Sequence, residues 1–198
     1  MDINIKLTDE QTRFVELALS GKNILVDACI GSGKTTAIQY LCDRFPIDKQ
    51  ILYLTYNRLL KLDAQKKITN KNVCVQNYHG YAYARLREKG LIFARSDLIR
   101  EFNKRVLKLP IIDILIIDEY QDIDSQIANM LCYIKKYYPK IQIIMVGDIK
   151  QKIYNYTSLN IVQFVNDFIE MHESLEFTVC FRLSQEWANE LGLTWNKK

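Results

Sequence analysis

The chain has 198 residues, with 27 Lys and Arg against 23 Asp and Glu, a net charge of +4, 48% hydrophobic residues and 25% charged ones. This supplies one sizeable core rather than two, and with only seven glycines and three prolines it reads as an ordinary globular domain rather than a disordered chain. No apolar run approaches the roughly 18 residues of a membrane-spanning helix, and the opening MDINIKLTDE is too charged for a signal peptide, so a cytoplasmic protein is expected.

In chain order, Thr8-x-x-Gln11 is a capping box that opens a helix carrying Phe14, Leu17 and Ala18 on one side. NILVDA (23–28) reads as a buried strand. It is followed by CIGSG and then by Lys34-Thr35 at the start of a helical pattern. QILYLTY (50–56) and VCVQ (73–76) read as two further strands. Residues 81–110 interrupt the alternation as a basic helical stretch with no strand, and residues 57–110 as a whole hold 13 Lys and Arg against four acids. Charge gathered in this way suits a polyanion or a solvated helix face. IDILIID (112–118) is a strongly apolar strand. Ile123, Ile127, Met130, Leu131, Ile134 and Tyr138 then recur at helical spacing, and IQIIMVG (141–147) and LEFTVCF (175–181) are the last strands. Continuous apolar strands alternating with helices predict a single α/β domain over residues 1–198, built on a mostly parallel sheet with helices on both faces. The five cysteines, Cys29, Cys42, Cys74, Cys132 and Cys180, are scattered and odd in number, and are expected to be reduced core residues.

A strand, a glycine-bearing turn and a helix opening with Gly33-Lys34-Thr35 form the pattern of a phosphate-binding loop. Small residues at Ala28, Gly31, Ser32 and Gly33 let successive backbone N–H groups curl around phosphate oxygens, and the helix N-terminus with Thr35 and Thr36 adds a positive dipole. Lys34 reaches the outer phosphates, and Thr35 offers its hydroxyl to Mg2+. Ala28 replaces the glycine that usually opens the loop, which requires a negative φ at the strand end. A nucleotide site also needs carboxylates. Asp118 and Glu119 follow directly on an apolar strand, where Asp118 would hold Mg2+ and Glu119 would orient and deprotonate water.

The ordered set LTDEQ, ACIGSGKTT, LTYNR, NYHGYAY, IIDEYQD, VGDIKQKIY and CFRLSQEWANELG, spanning residues 7–192, resembles the UvrD/Rep-type superfamily-one helicases. The resemblance implies a RecA-like phosphate-loop fold, ATP as fuel and single-stranded DNA as substrate. It makes Gln11 the reader of the adenine edge and Phe181 the aromatic packing on the base. Arg182 then becomes an arginine directed at the γ-phosphate, and Gln151 a γ-phosphate sensor. For DNA it implies stacking on Tyr56 and Tyr156, and backbone contacts from Asn57, Arg58, Asn77 and His79. Two features depart from the family. The accessory subdomain is reduced to residues 81–110, expected to contact DNA, and the second RecA-like domain is missing from these 198 residues. ATP binding and hydrolysis coupled to single-stranded DNA is therefore expected, without unwinding by this chain alone. The alternative is a helicase remnant that binds nucleic acid or a protein partner without catalysis.

Overall fold

The structure is a computed structural model that describes residues 6–151 and 159–182 together with Glu186 and Glu190. Six strands, β1 (Ile24–Ala28), β2 (Ile51–Thr55), β3 (Val73–Asn77), β4 (Ile114–Asp118), β5 (Gln142–Gly147) and β6 (Glu173–Phe177), form one sheet in the order β3-β2-β4-β5-β1-β6. Every pairing is parallel, with Ile24 opposite Ile144, Tyr53 opposite Ile116 and Asp118 opposite Val146. The fold class read from the sequence is thus observed.

Alternate residues of the inner strands feed two separate cores, because successive side chains of a strand point to opposite faces. Val26, Tyr53, Ile116, Ile144 and Val146 pack with Phe14, Ala18, Ile38 and Leu41 of α1 (Asp9–Leu19) and α2 (Lys34–Cys42). Leu52, Leu54, Leu115, Ile117, Ile143 and Met145 pack on the other face, against α4 (Tyr78–Arg87), α5 (Leu98–Asn103), α6 (Ser125–Tyr137) and α7 (Ile161–Ile169). Being covered twice, the central strands β2 and β4 are buried at every position, which is why they read as unbroken apolar runs. The remaining helix, α3 (Arg58–Lys67), lies against β2 and β3 and buries only Ala64. No helix among the described residues is long and apolar enough to cross a membrane.

Two expectations are corrected, on the last strand and on the cysteines. The last strand begins at Glu173 and ends at Phe177, rather than running over 175–181. It is an edge strand, pairing with β1 among the described strands, and its alternating exposure hides it from a search for continuous apolar runs. Residues 81–110 are helical and hold no strand, as read; α4 follows β3 directly, and Tyr81, Leu86, Leu98, Phe102, Leu107 and Leu109 belong to the core. Much of the positive charge there is met within the segment. Arg85 pairs with Glu88 and Arg100 with Asp97, each at 2.8 Å, while hydrogen bonds from Arg105 first and Lys104 second hold the Glu101 carboxyl down at about 2. Finally, Cys42 and Cys180 are buried and Cys29 half-buried, but Cys74 and Cys132 are exposed; all five are free thiols.

Candidate active site

In a parallel sheet the loops that leave the carboxyl ends of the strands share one edge, and here the loops after β1, β4, β5 and β6 meet there. Gly31 (φ +71°) and Gly33 (φ +78°) turn the loop after β1 through left-handed conformations that a side chain disfavours. Space requires glycine as well. A Cβ on Gly31 would lie 2.6 Å from Arg182 Cβ, and one on Gly33 would lie 2.9 Å from Gln11 Nε2. Ala28 is absent from the positive-φ positions, which meets the condition for alanine at the head of the loop.

Three contacts hold the loop. Gln11 closes the capping box with Thr8 and donates from Nε2 to Ser32 O at 2.9 Å. The Phe181 N–H donates to Gly31 O at 2.8 Å. Glu10 accepts from Thr178 N at 2.8 Å and from Thr178 Oγ1 at 2.6 Å, which ties the first turn of α1 to the segment that ends in Phe181 and Arg182. The Phe181 ring is mostly exposed and passes 3.7 Å from a Cβ built on Gly33.

Lys34 is buried. Its Nζ donates to Ala28 O at 3.5 Å and lies 3.8 Å from Glu119 Oε2. Glu119 adopts φ 58° and ψ 54°, a left-handed conformation that costs a non-glycine residue on the order of 1–3 kcal/mol. Asp118, at the end of β4, is fully buried and accepts from Tyr53 Oη at 2.9 Å through Oδ2, while Oδ1 has no partner among the described residues. Burial first, and the neighbouring Glu119 second, push its carboxyl up to about 7, against the pull of the Tyr53 hydroxyl and Lys34. Ser32 Oγ is likewise buried without a partner among the described residues. Residues 30–36, Glu119 and Arg182 line a cleft of about 190 Å³. Gln11, Ala28, Gly31, Ser32, Gly33, Lys34, Thr35, Thr36, Asp118, Glu119, Phe181 and Arg182 are therefore brought together. Gln151 ends a short turn (Ile149–Gln151) that follows β5 at the same edge, and nothing is described of its side chain.

The expected DNA contacts lie at the carboxyl ends of β2 and β3. Tyr56 is half-exposed and Arg58 is exposed at the start of α3. Asn57 and Asn77 spend their side-chain oxygens as helix caps, accepting from Leu60 N and Gly80 N, so both are structural whatever else they touch. His79 is half-buried, and burial together with Arg95 disfavours its charged form. Tyr156 lies outside the described residues.

Sequence reasoning missed Glu10, Tyr53 and Gln121. Glu10 and Gln121 sit inside motifs that were recognised, at positions with no assigned role. Tyr53 gives no signal of its own, since its meeting with Asp118 depends on the pairing of β2 with β4.

The AAA domain family matches residues 11–157. Among solved structures, Pif1 helicase from Candida albicans is similar with a TM-score of 0.63 and 19% identity, over 95% of this chain and 44% of that one. Bacteroides Pif1 helicase in complex with ADP-AlF3 and ssDNA gives 0.60 and 20%, over 95% and 46%. A double mutant of Pif1 helicase from Bacteroides gives 0.59 and 18%, over 96% and 46%. The chain thus spans less than half the length of these helicases, and the likeness is one of fold, that of their RecA-like region. No curated protein matches the sequence.

Proposed function

The chain belongs to the AAA domain family, and on that premise we propose that it is an ATP-binding and ATP-hydrolysing domain of a superfamily-one helicase, coupling nucleotide to single-stranded DNA. The observation that carries this reading is the approach of Lys34 Nζ to Glu119 Oε2 at 3.8 Å, across the cleft from the glycine-shaped loop. Backbone amides of residues 31–35 and Lys34 bind the phosphates, and Arg182, which lines the same cleft, offsets charge that develops during transfer. Glu119 orients the attacking water and takes its proton. Phe181 packs on the base and Gln11 reads its edge.

The residues also fit a hydrated divalent cation. Asp118 has an unpartnered buried oxygen, and Thr35 lines the cleft, so these two would hold Mg2+. The ion would neutralise phosphate charge and hold the outer phosphates in one geometry. Single-stranded DNA would run over Tyr56, Arg58 and His79, and a second RecA-like domain would close on the nucleotide from the far side.

Nucleotide titration of Lys34→Ala tests the loop: affinity should fall about tenfold or more, as loss of a buried charge-assisted contact implies, and unchanged affinity refutes the assignment. Glu119→Gln should lower turnover by roughly 10²–10⁴ while nucleotide still binds. Single-stranded DNA added to the same ATPase assay separates a motor domain, which responds, from a structural nucleotide binder, which does not.

A further inference from the structure

Gln121 has no role in the reading given so far, yet it is buried between the catalytic carboxylate and the turn after β5. Its Nε2 donates to Glu119 Oε2 at 2.7 Å, and its Oε1 accepts from Asp148 N at 3.0 Å. Only one orientation of the amide satisfies both partners. Rotated by half a turn it would set oxygen against carboxylate and NH2 against N–H. The approach depends on Gly147, the last residue of β5, because a Cβ there would stand 2.5 Å from Gln121 Oε1. The turn beyond is pinned a second time, with Ile149 N donating to Asp27 Oδ1 at 3.2 Å. One side chain therefore bridges two of the loops that share this sheet edge, and the turn it holds runs to Gln151.

We propose that Gln121 is a positioning residue that holds Glu119 in its water-activating orientation and ties that orientation to the Asp148–Gln151 turn. The proposal rests on the ATPase reading above. Glu119 needs such a support because its backbone is in the left-handed region and its second partner, Lys34, is required by phosphate once nucleotide arrives. A neutral amide can hold the carboxylate without competing for the phosphate.

The decisive variant is Gln121→Glu, which keeps shape, volume and the acceptor for Asp148 N but turns the donor facing Glu119 into an acceptor. Loss of a charge-assisted hydrogen bond that orients the base should lower kcat by about ten- to a hundredfold, with the dissociation constant of a fluorescent nucleotide changed less than about threefold. A residue that merely braced the turn would leave Gln121→Glu at the wild-type rate, and that result overturns the proposal. A wild-type chain without turnover would sink the ATPase reading instead, so the bridge is also read without catalysis. The side-chain amide signals of Gln121 in a ¹⁵N–¹H spectrum should move in Glu119→Ala, which removes the acceptor. Signals that stay in place overturn the bridge, whatever the turnover and however well the Gln121 variant folds.

Discussion

Replacing Asp118 by Asn isolates the cost of keeping a carboxylate under the sheet edge. The Asp118 carboxyl titrates near 7 in the folded chain against an ordinary 3.8, so between these values the folded state holds a proton that the unfolded state has released. Stability from this group is fully present below pH 3.8 and is lost as the pH rises through 7, opposite to the usual carboxylate whose folded pKa is depressed. Each pH unit of the interval is worth about 1.36 kcal/mol, so the whole amounts to about 4 kcal/mol. Asn keeps an acceptor for the Tyr53 hydroxyl and carries no titratable proton. Urea unfolding of both chains in metal-free buffer at intervals from pH 4 to 8 gives the difference curve. The advantage of Asp118→Asn over wild type should grow by several kcal/mol across that range and level off above pH 7. Parallel curves for the two chains would refute the claim that Asp118 is buried at a cost.

Cutting the tie between α1 and the segment after β6 with Glu10→Ala removes two hydrogen bonds from a charged acceptor, and thermal unfolding should report a loss of about 1–3 kcal/mol. Nucleotide titration of the same variant should show weaker binding, because Phe181 and Arg182 follow Thr178 by only a few residues. Gly147→Ala drives a Cβ to 2.5 Å from Gln121 Oε1 and 2.6 Å from the Tyr120 ring, and overpacking of this kind costs about 1–3 kcal/mol by denaturant unfolding. Phe102→Ala, in the core on the sheet face opposite α2, should cost about 3–5 kcal/mol and leave nucleotide affinity untouched.

The central strands were legible because burial on both faces forces apolar residues at every position, and β2 and β4 show it. The edge strand β6 was misplaced for the same reason in reverse: it has no neighbour beyond it among the described strands, and Glu173 and Glu176 fit a strand that a search for apolar runs passes over. The basic stretch was legible as helix, but its charge does not reveal which residues reach the core. Net charge counts every Lys and Arg alike, whereas Arg100, Lys104 and Arg105 are met by Asp97 and Glu101 one helical turn away, and apolar residues between them reach the core. The cysteines were read from apolar neighbours in sequence, but Cys74 on β3 and Cys132 on α6 fall on the outward sides of their elements.

Within the site, residues whose chemistry is local were legible and those that act across the sheet were not. Gly31, Gly33, Lys34 and Thr35 are dictated by one turn, and the order of residue types is enough to find them. Asp118 and Glu119 are adjacent, yet they part company only in three dimensions. The left-handed backbone at Glu119 sends that carboxylate to Lys34 and Gln121, while Asp118 stays under the sheet edge against Tyr53. Two neighbouring carboxylates thereby acquire different surroundings, one partly exposed and held by donors, the other buried with an open oxygen. That division suits the separate roles in proton transfer and cation binding proposed above, and Tyr53 and Gln121 contribute to it through their hydrogen bonds to the two carboxylates.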